Sequence, residues 1–167
     1  MRSYFISFFM LVSLVLSAQT NDDYTKGIAN FSILDINGQE FTQDQLTTDQ
    51  YKLLMYFNPS CSSCKTAFKK INLVAEKLKD LPIHFYPISL GTKEETLTFF
   101  DQYSPKFKKY AEVTLLREKD FQFSDTYEVN AYPTLFLYKP NNDFVKSYMG
   151  HQKATDFLDQ FDKVSQR

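Results

Sequence analysis

The sequence predicts an α/β fold, one β-sheet with helices on its faces. Two observations lead there. Short apolar runs of strand length alternate along the chain with segments whose apolar residues recur at helical spacing. After the last of these alternations come two strands joined by a turn and a closing helix.

Residues 1–18 stand apart from the fold: Arg2 precedes a run from Phe5 to Leu16 that is apolar except for Ser7 and Ser13. That run is shorter than the roughly 20 residues a membrane span needs. Ser17 and Ala18 supply small residues for cleavage, so 1–18 reads as a secretory signal peptide cut after Ala18. With no cysteine near the cut, the expectation is a soluble protein, periplasmic or secreted, rather than a lipoprotein. Residues 19–167 then form one domain.

"FSILDINGQEFT" (31–42) reads as two short strands around Asn37-Gly38, a dipeptide favoured in type I′ hairpins. "KLLMYF" (52–57) is continuously apolar after its lysine, as a parallel strand covered on both faces should be. From Cys61 to Lys79, Ala67, Phe68, Ile71, Val74, Ala75 and Leu78 recur on one helical face with lysines between them. Strands are expected over 83–90 and 112–116, and helices over 93–104 and 119–129. Strands at 134–139 and 143–150 flank an Asn141-Asn142 turn, and a helix over 152–161 closes the chain.

Composition narrows the function. The chain is 43% hydrophobic with a formal net charge of −1, which argues against nucleic acid or an anionic membrane as its main partner. The lysines of the 61–79 helix read as its solvated face.

The only two cysteines, Cys61 and Cys64, lie in "FNPSCSSCK" (57–65). As a structural staple the pair would stabilise little, about 2 kcal/mol against about 4.7 for a 100-residue loop. As half of a structural zinc site it would need two more ligands, and the two histidines, His84 and His151, have no ligand-like spacing. Redox chemistry remains. At a helix start the unpaired amides and the positive end of the dipole stabilise a thiolate at Cys61. Cys64, one turn on, can reach back to a mixed disulfide at Cys61. Pro59 fixes the preceding turn, and Ser60 is the expected N-cap.

"KLLMYFNPSCSSCK", with "YEVNAYPTLFLYKPNNDFVKSYMG" some seventy residues later, resembles the thioredoxin-like superfamily. The hairpin before the first core strand is similar to that of exported thiol-disulfide oxidoreductases of the TlpA and ResA type. The resemblance spans residues 28–165. It implies a thioredoxin-like fold, with a central mixed sheet, helices on both faces and an N-terminal hairpin. It also implies a cis Pro133 facing the cysteines and a Tyr132 backbone that pairs with the client chain. Tyr132, Pro133 and Thr134 are therefore expected client-binding residues, although Tyr132 is equally readable as a packed aromatic.

The sequence departs from thioredoxins proper in three places. Ser60 replaces the Trp before the first cysteine, Ser62-Ser63 replaces Gly-Pro, and Met55 replaces the buried acid six residues upstream. The usual proton acceptor for Cys64 is thus missing, and the direction of electron flow is open. The reading is an exported oxidoreductase with no cofactor beyond its Cys61-Cys64 disulfide and no metal. It would act as a monomer on client proteins, reducing rather than oxidising them, and draw electrons from a membrane dithiol donor. The alternative is a Cu(I) carrier using the two thiolates. A peroxidase is disfavoured because Asn58 stands where a Thr three residues before the cysteine belongs.

Overall fold

A computed structural model describes residues 23–150 together with Asp156 and Phe157. The signal-peptide segment and most of the closing helix lie outside the described residues.

Among the described residues, seven strands form one mixed sheet. They are β1 (Ser32–Asp35), β2 (Glu40–Thr42), β3 (Tyr51–Phe57), β4 (Ile83–Ser89), β5 (Leu116–Arg117), β6 (Thr134–Tyr138) and β7 (Phe144–Met149). Their spatial order is β2-β1-β5-β4-β3-β6-β7. β3, β4 and β5 are parallel, while β6 pairs antiparallel with β3, and β7 with β6. The hairpin of β1 and β2 joins through antiparallel pairing of β1 with β5.

Side chains along β3 alternate between two cores, which is why its run is apolar throughout. Leu53, Met55 and Phe57 face a core with Phe68, Phe85, Phe99 and Phe100. Leu54 and Tyr56 face a second core with Phe31, Phe123, Tyr127 and Phe136. Helices α1 (Ser62–Leu73), α2 (Ala75–Leu78) and α3 (Lys93–Tyr103) cover the first core, and the short α4 (Gln122–Thr126) contributes Phe123 to the second. The mixed sheet with helices on both faces is the thioredoxin-like arrangement expected.

Several boundaries differ from the sequence reading, each for a local reason. The hairpin turn is not type I′. Asp35 and Gln39 pair across a three-residue loop, the Gly38 amide donates to the Asp35 carbonyl, and Gly38 alone is left-handed at φ 89°. That is a turn followed by a bulge at glycine. The helix from the cysteines breaks at Val74, whose amide is shared by the carbonyls of Lys70 and Ile71. The 112–116 strand shrinks to Leu116–Arg117, preceded by a single bridge from Val113 to Phe85. The 119–129 helix is confined to Gln122–Thr126 because Phe121 and Glu128, at φ 61° and 50°, leave the helical region on either side.

Candidate active site

β3 delivers the chain to the carboxyl end of the parallel strands, where a tight turn starts α1. Asn58 organises that turn. Its carbonyl accepts from the Cys61 amide at 3.0 Å, and its side-chain Oδ1 accepts from the Ser60 amide at 2.9 Å and the Ser60 hydroxyl at 2.7 Å. Ser60 is therefore not the cap. Cys61 occupies the N-cap position in an extended conformation, with no side-chain cap bond, and its carbonyl accepts from Lys65 at 3.1 Å. A sulfur stands where a helix usually has a capping oxygen. The turn is braced from β4's side: a Cβ added to Gly91 would lie 2.8 Å from Pro59 Cγ.

The two sulfurs occupy unlike environments. Cys61 is half-buried and Cys64 fully buried. Burial pushes the Cys61 thiol up, but bonds from the Ser63 hydroxyl, the Cys64 amide and thiol, and the Ser63 amide outweigh it and hold the thiol below its ordinary value. Burial pushes Cys64 up to about 12, opposed by the Asn58 amide and reinforced by the adjacent Cys61. The same helix turn thus holds one acidified and one suppressed thiol.

The loop before β6 faces this pair. The Tyr132–Pro133 peptide bond is cis. The Tyr132 carbonyl accepts from the Ser63 hydroxyl at 3.0 Å, which ties the loop to the first turn of α1. The Tyr132 ring is partly exposed and stacks on Tyr56 with centroids 6.0 Å apart, so it is a packed aromatic with one open side. Thr134 is different: its side chain is fully buried and its hydroxyl donates to the Ala131 carbonyl at 2.7 Å. Its side chain closes the loop from within.

Two residues escaped the sequence reading. Ser63 contacts Cys61 Sγ at 2.9 Å while also bonding Tyr132. Only its place between the cysteines could have signalled this. Glu118 is a buried acid beyond β5 that the sequence left unidentified. Its Oε2 accepts from the Tyr56 hydroxyl, and its Oε1 accepts from the amides of Phe123 and Ser124, at 2.5 and 3.1 Å. Both oxygens are engaged, so Glu118 holds α4 and the Tyr56 ring that supports Tyr132. Its partners Tyr56 and Phe123 belong to the second core, whereas Met55 and Cys64 belong to the first.

Other expectations resolve on geometry. His84 stacks on Tyr86 and bonds the Thr114 hydroxyl at 2.8 Å, on a strand pairing far from the thiols. Lys65 and Lys69 of the solvated face lie over the Tyr103 ring, 5.8 and 5.3 Å from its centre. Beside the cysteine turn a groove of about 340 Å³ opens between Pro59, Ser60 and α3, with Phe99 and Tyr103 in its lining.

Known proteins share this fold. The chain shares its fold with a secreted disulfide oxidoreductase of Mycobacterium tuberculosis, at TM-score 0.63 and 15% identity over 80% of this chain and 95% of that one. The thioredoxin domain of a Bacteroides vulgatus thiol-disulfide oxidoreductase gives TM-score 0.63 and 13% identity over 82% and 96%. Arabidopsis thaliana ScoI with copper bound gives TM-score 0.63 and 17% identity over 84% and 99%. No curated protein matches the sequence significantly. The profile of the thioredoxin-like domain matches residues 21–165, so the chain belongs to the thioredoxin-like family.

Proposed function

We propose that the protein is an exported thiol-disulfide oxidoreductase that exchanges a Cys61-Cys64 disulfide with the cysteines of client proteins, in the reducing direction. The observation that carries this reading is the inequality of the two thiols: Cys61 half-buried and acidified at the helix end, Cys64 fully buried and held up to about 12.

The Cys61 thiolate attacks one sulfur of a client disulfide, and the client's other sulfur leaves as a thiolate. Cys64 then attacks Cys61 Sγ, releasing the second client sulfur and leaving a Cys61-Cys64 bond. The client gains two electrons and the protein loses two. Attack also prepares the second step. Cys61 raises the Cys64 thiol both through its charge and through a hydrogen bond. A mixed disulfide at Cys61 removes the charge, and burial remains the main restraint. The proton of Cys64 passes to water, since Glu118 is engaged elsewhere.

The client chain lies as an added strand along the Tyr132 backbone beside Pro133. A monomer suffices, and an external dithiol donor, placed in the membrane by the family resemblance, restores the thiols. Secretion of the M. tuberculosis relative supports export. The test is to mix reduced protein with an oxidised peptide disulfide and follow both partners by alkylation and mass. Stoichiometric transfer of two electrons supports the reading, and unchanged thiols contradict it.

The Cu(I) carrier is the competing reading, favoured by the copper-bound ScoI of the same fold. Among the described residues no three His, Cys, Asp or Glu side chains cluster as ligands. Tight Cu(I) binding without disulfide exchange would decide for the carrier.

A further inference from the structure

Ser63 has one hydroxyl hydrogen and two neighbours that can accept it. The Tyr132 carbonyl lies 3.0 Å from Oγ and takes the hydrogen, and Cys61 Sγ lies 2.9 Å from the same Oγ. A serine hydroxyl donates only once, so the two contacts constrain each other. While Ser63 donates to Tyr132, the short contact to Cys61 is a hydrogen bond only if the thiol donates, so this arrangement favours the protonated thiol. Once Cys61 loses its proton, its sulfur is an acceptor only. The Ser63 hydrogen must then turn to Sγ, and the Tyr132 carbonyl loses its donor.

That carbonyl is the group to which an extended client would offer a backbone N–H. We propose that Ser63 is a latch coupling client docking to nucleophile formation: a client N–H on the Tyr132 carbonyl releases the Ser63 hydroxyl to stabilise the Cys61 thiolate. The inference rests on the proposed docking of the client as an added strand, and contributes to it a residue and a coupling. By reciprocity, whatever a docked client contributes to forming the thiolate, the thiolate returns as tighter binding of the client. In balance, the Cys61 proton leaves to solvent, the Ser63 hydrogen moves between acceptors, and the client amide fills the vacated one.

The surroundings leave this switch to Ser63. Among the described residues, the titratable groups facing Cys61 are the Cys64 thiol from α1 and the Tyr132 phenol from the loop before β6. Cys64 remains protonated at neutral pH, and the Tyr132 phenol is raised by burial and by nearby Glu118 and the two thiols. Lys65, Glu94 and Glu95 line the groove on the α3 side. None of these can donate to the Tyr132 carbonyl and to Cys61 in turn as the Ser63 hydroxyl does.

The test uses a peptide whose disulfide form the protein reduces, remade with serine for cysteine, uncharged and blocked at both ends. Its affinity is measured across the pH range in which Cys61 titrates. In the wild type, affinity should rise roughly fivefold as Cys61 deprotonates, the worth of one neutral hydrogen bond. Ser63→Ala should bind with no dependence on this titration, and Ser63→Thr, which keeps the hydroxyl, should behave as wild type. A set of peptides N-methylated at one amide each should contain one that loses the dependence in the wild type. An unchanged pH dependence in Ser63→Ala, or none in the wild type, overturns the latch while leaving exchange intact. If the serine peptide fails to bind while its disulfide form is still reduced, the strand-docking reading falls together with the latch. If no peptide disulfide is reduced at all, the proposed activity itself is contradicted.

Discussion

Cys61 and Cys64 are separated by one helical turn, yet one thiol is lowered by hydrogen bonds and the other is pushed up to about 12 by burial. At neutral pH the thiolate fraction of Cys64 should lie more than about a thousandfold below that of Cys61, because Cys64 rises from 9.0 to about 12 while Cys61 falls below 9.0. The greater intrinsic nucleophilicity of a more basic thiolate offsets part of this and leaves about thirtyfold. Iodoacetamide should therefore label Cys61 about thirtyfold faster or more, measured by peptide mapping over time, and equal rates would dissolve the assignment. The same asymmetry governs trapping. Cys64→Ser should accumulate mixed disulfides with clients on a non-reducing gel, and Cys61→Ser should accumulate few. Cys64 also makes stability depend on pH. A thiol raised in the folded state stabilises it below the unfolded value of 9.0 and loses that contribution as pH climbs from there toward about 12. The reduced protein should lose up to about 4 kcal/mol across that window relative to Cys64→Ala, measured by denaturant titration at each pH.

The turns that aim the two thiols depend on contacts made by neighbouring elements. Gly91, just after β4, presses against Pro59 so closely that a Cβ would come within 2.8 Å of its ring and 3.2 Å of Glu95. Gly91→Ala should cost about 1–3 kcal/mol by overpacking and should slow exchange by shifting the Asn58–Ser60 turn. A wild-type exchange rate would show that the turn holds itself. On the other side, Glu118 joins α4 to β3 through Phe123, Ser124 and Tyr56. Removing its carboxylate leaves three donors without their partner, so Glu118→Ala should cost about 2–3 kcal/mol in denaturant unfolding. It should also loosen Tyr132, seen as faster hydrogen exchange in the 129–134 segment. These braces were invisible in the sequence because they are long-range: Glu118 and Tyr56 lie 62 positions apart. The strands and the helix start were legible because they rest on local signals, an apolar run over 52–57 and helical spacing from Ala67 to Leu78. Where a single residue overrode the pattern, at Val74, Phe121 and Gly38, the boundaries moved, since backbone conformation at one position is set by packing as much as by type.

Across the whole molecule, the sheet order places β3 among the inner strands, with the cysteine turn at its carboxyl end and the Tyr132 loop at the start of its antiparallel neighbour β6. Two segments far apart in sequence thereby meet at the carboxyl end of β3, joined by Ser63. The pair of cysteines was legible from spacing alone, and the meeting of loop and helix was foreseen only through the family resemblance. Ser63 as the joining residue was not foreseen, because a serine in a helix's first turn is ordinary by type. The central claim is that this assembly carries a working redox couple and not a structural bridge. It is tested most directly by equilibrating the protein in dithiol buffers of graded potential and scoring Cys61 and Cys64 by alkylation and mass, a readout that suits a chain without tryptophan. The expected result is one two-electron transition with a midpoint above about −300 mV, the upper bound typical of structural disulfides. A disulfide that stays closed far below that potential would contradict the account.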